Sequence, residues 1–300
     1  MRRAAPVVQP ARAKPKRPLR IFIAPGLLFL FGLLVALYPL ITQLYYATEA
    51  SEQVTNFKEG RSALAQEAID ERIDLARAYN ETLDPKRMSD PYTRRESQGI
   101  AEYARMLEVR ELIGHVEIPK IRQDLPIYAG TSDEVLNKGV GHLEGTSLPT
   151  GGINTHSVLT AHRGLPTARL FTDLDKLELG DIFYVHNIDK VLAYEVDQII
   201  VVEPNEFEHA LVVPGQDHVT LLTCTPYMIN SHRLLVRGIR VEMVETSPEE
   251  GGLPVTPAVL GPVIPLELVI PAALGGVLLI ASVITIRRRV KHGKEPRRAA

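Results

Sequence analysis

The single cysteine of this sequence is the residue best suited to chemistry, because a thiol with no partner can act as a nucleophile. The 300-residue chain has one cysteine, Cys224, so no disulfide can form within it. Cys224 follows the apolar run Val219–Thr223 and precedes Thr225 and Pro226, which predicts a position at the end of a strand, before a turn. Arg233 begins the next predicted strand, so a strand–loop–strand unit places the two residues opposite each other.

An arginine beside this cysteine would favour the reactive thiolate. A nearby cation lowers the pKa of a thiol, and a guanidinium also donates hydrogen bonds to a developing oxyanion or a substrate carbonyl. The alternative is that Cys224 is a small buried hydrophobic residue and Arg233 a surface charge. The residue pattern alone leaves both interpretations open.

Cleavage of a peptide also needs a general acid for the leaving amine, and histidine is the usual one. His162 ends a predicted strand and precedes Arg163 and Gly164, a position that suits an exposed catalytic group. Each histidine could equally be a packing or surface residue. With one cysteine and scattered histidines, the spacing does not predict a zinc site, and we expect no cofactor. The nine histidines are His115, His142, His156, His162, His186, His209, His218, His232 and His292.

Two uncharged apolar runs predict two membrane spans, at 21–42 and 268–286. Each is about as long as the roughly 20 residues that a helix needs to cross a bilayer. The basic tails 1–20 and 287–300 flank them, so the positive-inside rule predicts two cytoplasmic termini and an extracellular middle. A cleaved signal peptide is the alternative for the first run, and a buried core helix or a cleaved sorting signal for the second.

The part of the chain between the tails is acidic. Of the 34 basic residues, 14 lie in the two tails, which hold only one of the 36 acidic residues. The middle therefore has 20 basic and 35 acidic side chains, a net charge of about −15. Such a surface argues against nucleic acid as a partner.

The middle section is predicted to be a helical segment followed by a β domain. Residues 43–110 favour helix, apart from a loop at about 84–98 that contains two Asp-Pro pairs. Residues 111–246 hold about eight short strands, typical of a barrel or sandwich. Residues 247–267 form a proline-rich linker. The predicted strands begin at Val116, Asp124, Ser157, Ile182, Val191, Gln198, Val219 and Leu234.

The stretch 220–238, with its Thr-Cys-Thr-Pro motif, resembles the signature of the sortases, specifically the class C or pilus-assembling branch. The stretches 141–149, 156–166 and 170–175 are similar to the same branch, and the resemblance covers roughly residues 50–246. It implies a closed eight-stranded β-barrel with short helices, and a cysteine transpeptidase whose catalytic residues are His162, Cys224 and Arg233. His142 and His232 become candidates for supporting roles. Met228 stands where many relatives have glycine.

Class C sortases also carry an N-terminal lid with an Asp-Pro-aromatic motif, which here matches Asp90, Pro91 and Tyr92. The resemblance implies that Asp90 pairs with Arg233 while Tyr92 covers Cys224 until substrate arrives. Tyrosine departs from the tryptophan or phenylalanine more familiar there. The alternative is a simple turn, because Asp-Pro is common in loops.

The function implied is pilus polymerisation at the membrane of a Gram-positive cell. Cys224 would cleave an LPxTG-like signal between threonine and glycine, form a thioester, and pass the acyl group to a pilin lysine. The expected partners are pilins or surface proteins that bear such signals. The alternatives are a housekeeping sortase that uses a peptidoglycan precursor, a hydrolytic cysteine protease, and a non-catalytic receptor with an intermolecular disulfide.

Overall fold

The computed structural model describes residues 20–83, 88, 90–92 and 102–242. The chain divides into two compact units, one of residues 1–40 with 263–300 and one of residues 41–262. The predicted linker, the second predicted span and nearly all of both basic tails lie outside the described residues, as does most of the predicted loop at 84–98. All candidate site residues, including the three of the lid motif, lie within them.

Helix α1, Arg20–Ser62, contains the first predicted span. From Gly26 onward it is long and apolar enough to cross a membrane, and none of its most apolar 18-residue stretch is buried in protein. No other helix among the described residues meets this criterion of length and composition.

A second helix, α2, Gln66–Glu81, follows after a break that the sequence did not predict. The composition and the apolar stripe of about residues 50–83 predict helix without a break. The break has a tertiary cause. The Arg61 side chain donates hydrogen bonds to the carbonyl oxygens of Ile188 and Asp189, at 2.8 and 2.5 Å, which holds the end of α1 on the barrel. The chain then turns, and α2 buries its own apolar face, Ile69, Ile73 and Ala76.

Eight strands form a closed barrel in the order β1-β2-β3-β4-β7-β8-β6-β5, which confirms the predicted fold class. The pairs β2–β3 and β4–β7 are parallel, the others are antiparallel, and β5 closes on β1. The strands are β1 Leu112–Ile118, β2 Gln123–Ala129, β3 Val140–His142, β4 Thr155–Thr160, β5 Ile182–His186, β6 Val191–Val202, β7 Asp217–Thr225 and β8 His232–Val241. A 3₁₀ turn, Glu102–Leu107, precedes β1, and short helices connect the strands: α3, Asp133–Lys138, and 3₁₀ turns at Pro119–Ile121, Leu174–Lys176 and Glu208–Ala210.

Two details of the barrel differ from the predicted strands. β3 was missed because it is only three residues long and has glycine at its centre. Two predicted strands are one, β6, with a register shift between Val196 and Gln198 that leaves Asp197 as the extra residue. The Asp197 carboxylate accepts two hydrogen bonds from Arg237 of β8, at 3.0 and 2.5 Å, so this polar residue is held within the sheet.

The strands around the site bury side chains on both faces. Leu159, Leu221 and Val236 belong to the main core inside the barrel. Their sequence neighbours point to the other face, where they form a second apolar cluster, called the outer cluster below. The outer cluster consists of Leu143, Val158, Val202, Ala210, Leu222 and Leu235.

His142 ties the segment after the lid to the barrel. Its Nε2 donates to the carbonyl oxygen of Ser147 at 2.8 Å, so its Nδ1 accepts from the Tyr103 hydroxyl at 2.7 Å. The ring is fully buried, and this burial lowers the pKa of His142 from 6.5 to about 4. His142 thus has a structural position.

We predict that the free energy of unfolding falls as the pH is lowered from 6.5 to 4. In that range the unfolded chain binds a proton that folded His142 excludes, and the lowered pKa corresponds to about 3 kcal/mol. Urea denaturation across this range measures the loss. His142→Gln should be less stable at pH 7 but have a shallower pH dependence. An unchanged slope in that variant would contradict the assignment.

Candidate active site

Cys224 and Arg233 are directly opposite each other in the ladder between β7 and β8. Both side chains lie on the outer face of the barrel, because Cys224 is two residues from Leu222 and Arg233 two residues from Leu235, both of the outer cluster. Each residue is only 4% exposed. The strand pairing thus brings a thiol and a cation together at one end of the barrel.

The lid motif lies over this end of the outer face. Asp90 accepts two hydrogen bonds from Arg233, Nε to Oδ1 at 2.6 Å and Nη2 to Oδ2 at 2.8 Å. The two side chains are 1% and 5% exposed, so this is a buried bidentate ion pair. The remaining terminal nitrogen of Arg233, Nη1, donates to the carbonyl oxygens of Asn230 and His232, both at 3.0 Å. In this conformation each of the three guanidinium nitrogens donates at least one hydrogen bond.

Tyr92 occupies the space next to Asp90. Its hydroxyl donates to the carbonyl oxygen of Ala161 at 2.6 Å and lies 2.8 Å from Thr160 Oγ1. The ring centre is 5.5 Å from that of His162, and the Arg233 guanidinium carbon lies 5.0 Å from the same ring centre. Tyr92 therefore contacts both side chains that could assist Cys224. It also packs on the outer cluster, as does Met88.

The covered site favours neutral groups over an ion pair. Burial raises the pKa of Cys224 to about 11, with the Asp90 carboxylate adding to the effect and Arg233 opposing it. Burial also lowers the pKa of His162, and the negative charge of Asp133 opposes this effect. A thiol whose pKa is raised and an imidazole whose pKa is lowered both stay uncharged at neutral pH. This conformation therefore favours a neutral thiol and a neutral imidazole.

Arg163 links the two chain segments that carry His162 and Cys224, a role that the sequence did not reveal. Its Nη1 donates to Thr225 Oγ1 at 2.9 Å, immediately after Cys224, and its Nη2 lies 2.7 Å from Asp175 Oδ2. The Arg163 side chain is 9% exposed. Its position directly after His162 was visible in the sequence, but nothing there indicated its partner Thr225 at the end of the neighbouring strand β7.

The other candidates lie outside this group of contacts. His232 is partly exposed and pairs with Glu203 at 3.2 Å, and His142 is buried in the position described above. Met228 has a positive φ of 65°, a backbone conformation that suits glycine better. Among the described residues, no group of three or more potential ligands is arranged to hold a metal ion.

Comparison with known proteins agrees with this architecture. The family profile of the sortase domain matches residues 116–241. The crystal structure of sortase C-1 from Streptococcus pneumoniae is 59% identical, with a TM-score of 0.63, and the match covers 64% of this chain and 100% of that one. The chain belongs to the sortase family. This family consists of cysteine transpeptidases, so the prediction of an enzyme is confirmed.

Two further relatives show how this sortase relates to different branches of the family. The pilus-related sortase C of Group B Streptococcus is 56% identical, with a TM-score of 0.61 and coverage of 63% of this chain and 97% of that one. Sortase A of Bacillus anthracis is only 25% identical over 169 residues, 56% of this chain and 75% of the relative. The similarity to class C structures is therefore far greater than to this sortase A, and the resemblance seen in the motifs is confirmed.

We predict that opening the lid increases the reactivity of the thiol. With a pKa of about 11, roughly one Cys224 in a thousand is thiolate at pH 8. Asp90→Ala/Tyr92→Ala removes both the cover and the acidic neighbour, so iodoacetamide should alkylate Cys224 at least about tenfold faster. Intact-mass spectrometry over time measures the rate.

The matched control for the lid variant is Asp197→Asn. It weakens another bidentate aspartate–arginine pair of β8, with Arg237, away from Cys224. The control should alkylate at the parent rate. Equal rates in the parent and the lid variant would show that the lid does not limit access to the thiol.

We also predict that Arg163 positions the two catalytic segments. Arg163→Ala in the lid-open background should lower kcat by about tenfold and change KM less, since small misplacements of reacting groups reduce the rate steeply. Arg163→Lys keeps the charge but lacks the two terminal nitrogens that bind Thr225 and Asp175, so it should recover only part of the loss. Steady-state transfer of a sorting peptide measures both constants. Arg169→Ala, which removes a pairing to Asp173, is the control; an equal loss there would indicate a general structural effect.

Proposed function

We propose that this sortase polymerises pilins. It would cleave an LPxTG-like sorting signal between threonine and glycine and join the acyl group to a lysine amine of another pilin. The observation that carries this proposal is the buried Asp90–Arg233 pair, which closes an N-terminal lid over the only cysteine. The high identity to sortases C, one of them described as pilus-related, supports the same branch.

In the proposed reaction Cys224 is the nucleophile. Its thiolate attacks the threonine carbonyl carbon, a C–S bond forms, and the peptide C–N bond to glycine breaks. His162, as imidazolium, gives its proton to the departing glycine amine. Arg233 donates hydrogen bonds to the oxyanion or to the bound peptide, once Asp90 has released it.

The second half of the reaction returns the enzyme to its starting state. The lysine amine attacks the thioester carbonyl, His162 takes up the proton of that amine, and the C–S bond breaks to free the Cys224 thiolate. The product is an isopeptide bond. The thioester retains the free energy of the cleaved peptide bond, so formation of the isopeptide bond needs no nucleotide.

We further propose that helix α1 anchors the enzyme in the cell membrane with the barrel outside. The length and exposed apolar surface of α1 support an anchor. The basic residues before it favour a cytoplasmic N-terminus. The run at 268–286, followed by its own basic tail, would form a second span and return the C-terminus to the cytoplasm. An anchored enzyme meets membrane-tethered substrates in the same plane.

The decisive experiment follows the acyl group by intact-mass spectrometry. The parent, Asp90→Ala/Tyr92→Ala and Cys224→Ala are each incubated with an LPxTG peptide, with and without a pilin peptide that contains lysine. We predict a thioester adduct on Cys224 that transfers to the lysine, most strongly in the lid variant, and no adduct in Cys224→Ala. An adduct in Cys224→Ala would refute the role of this residue.

The alternatives give different products in the same experiment. A housekeeping sortase would form the adduct but use a peptidoglycan-type amine rather than the pilin lysine. A hydrolytic protease would release the free acid whether or not an amine is present. A receptor with an intermolecular disulfide would form no adduct, and would run as a covalent dimer without reductant.

A further inference from the structure

A cavity lies between the end of α2 and the outer face of the barrel, on the far side of the outer cluster from Cys224. Its volume is about 560 Å³, within the range of pockets that bind ligands. Met88 and Ala210 line the cavity, and they also join it to the outer cluster, since Ala210 is a member of that cluster and Met88 packs against it. The proposed reaction takes place at the other end of this face and leaves the cavity without a role.

Hydrogen bonds of two side chains hold the walls of the cavity in place. On the α2 side, Asn80 donates to the carbonyl oxygen of Leu148 at 3.2 Å, and its own side-chain oxygen accepts from the Leu148 amide at 2.7 Å. On the other side, the buried His156 donates from Nδ1 to the carbonyl oxygen of Leu211 at 2.8 Å, and its Nε2 accepts from the Thr220 hydroxyl at 2.7 Å. These bonds attach α2 and the β6–β7 connection to the barrel, so the walls that they build do not depend on the lid motif.

The described residues of the lid lead from this cavity to the active site. Leu83 and Met88 line the cavity. Asp90 and Tyr92, further along the chain, contact the catalytic arginine and histidine. In chain order these four residues go from the cavity to the catalytic residues, which is the amino-to-carboxyl direction of the chain.

A sorting signal in the same direction would place its threonine at Cys224 and its leucine on the outer cluster. In an LPxTG signal the apolar leucine and proline precede threonine, and the outer cluster is the apolar surface next to Cys224. Cys224 lies six residues after His218, the partner of His156 in the ladder between β4 and β7, so the cavity is about 20 Å from the thiol along the strands. The three steps from threonine to leucine cover roughly half of this distance. The second and third residues before leucine would therefore reach the cavity.

Exposed apolar side chains line the cavity on the barrel side. Ile153, Leu211 and Val212 are 72%, 38% and 41% exposed, and they come from two different connections between strands. Their position on the walls of one cavity suits an apolar or aromatic side chain, which would remove their surface from water. The cavity is also lined by Arg77 and Glu81 of α2, one of each sign, so these two charges together favour neither an acidic nor a basic residue.

We infer that the cavity is a subsite for an apolar side chain two or three residues before the leucine of the sorting signal. This inference rests on the proposed function and extends it from the signal to the sequence that precedes it. The cavity would let the enzyme distinguish between proteins that carry the same pentapeptide, because the residues before the signal differ while the signal does not.

Peptide kinetics test the subsite in the full-length chain, held in nanodiscs and carrying Asp90→Ala/Tyr92→Ala to open the lid. Three acetylated peptides are compared. One begins with the leucine of LPxTG, one has three further residues before it with leucine at the first two positions, and one has serine at those two positions. Release of the fragment that begins with glycine measures kcat/KM. We expect the leucine extension to raise kcat/KM at least about fivefold over the serine extension.

The variant that tests the cavity is Ile153→Asp/Val212→Asp, which places charge on its wall at two exposed positions. The preference for the leucine extension should fall below about twofold, while the short peptide should be cleaved at the rate of the lid-open parent. An extension with lysine at the same two positions should now be preferred to leucine. Leu179→Asp is the matched control, because Leu179 is an apolar residue that is 67% exposed and does not line the cavity. This control should keep the preference for leucine.

Equal kcat/KM for the leucine and serine extensions in the lid-open chain would overturn the subsite, as would an unchanged preference in Ile153→Asp/Val212→Asp. An equal loss on the short peptide in that variant would also overturn it, since this peptide is too short to reach the cavity. In each of these results the short peptide is still cleaved, so the proposed function stands. Cleavage of none of the three peptides would instead refute the proposed function, and the subsite with it.

Discussion

The register between β7 and β8 is the constraint on which the site depends. Antiparallel pairing places Cys224 opposite Arg233, and the two-residue period of a strand puts both on the outer face. A slip of one residue would turn the thiol into the barrel interior, among residues of the main core. The register is fixed because both faces are buried: Leu221 and Val236 must point inward and Leu222 and Leu235 must reach the outer cluster.

The lid binds the guanidinium that this register places opposite Cys224. A buried guanidinium needs an anion, and removing one partner of a buried pair typically costs about 3–5 kcal/mol. Asp90 supplies the anion while the site is closed. In the proposed mechanism the lid leaves, Arg233 loses the carboxylate of Asp90, and Cys224 lies opposite it in the strand pairing. In that mechanism the unpaired guanidinium would stabilise the Cys224 thiolate or the oxyanion that forms on the substrate carbonyl, so Asp90 would occupy the place of the charge that develops in the reaction.

The sequence predicted the structure best where residue type and local pattern together determine it. The strands, the turn after Cys224 and the position of Arg233 follow from short-range signals, and the barrel closure followed from the resemblance to sortases. The break between α1 and α2 was missed because its cause, the bonds of Arg61 to the β5–β6 turn, is more than 120 residues away in the chain. Arg163 was missed as a link for the same reason, since Thr225 is 62 residues from it. A contact between segments that are far apart in the chain produces little recognisable pattern in the sequence around either residue.

In the proposed function, the lid and the membrane anchor would have opposite effects on substrate capture. A lid that is closed most of the time lowers the apparent affinity for a sorting signal by the fraction of open molecules. In the proposed arrangement, enzyme and substrate share one membrane, which raises the effective concentration of each for the other. A free peptide in solution has no such increase in effective concentration, so the closed lid lowers its apparent affinity without compensation. In this proposal the lid would therefore favour substrates held at the membrane beside the enzyme, so that the closed state that covers the thiol would also contribute to specificity.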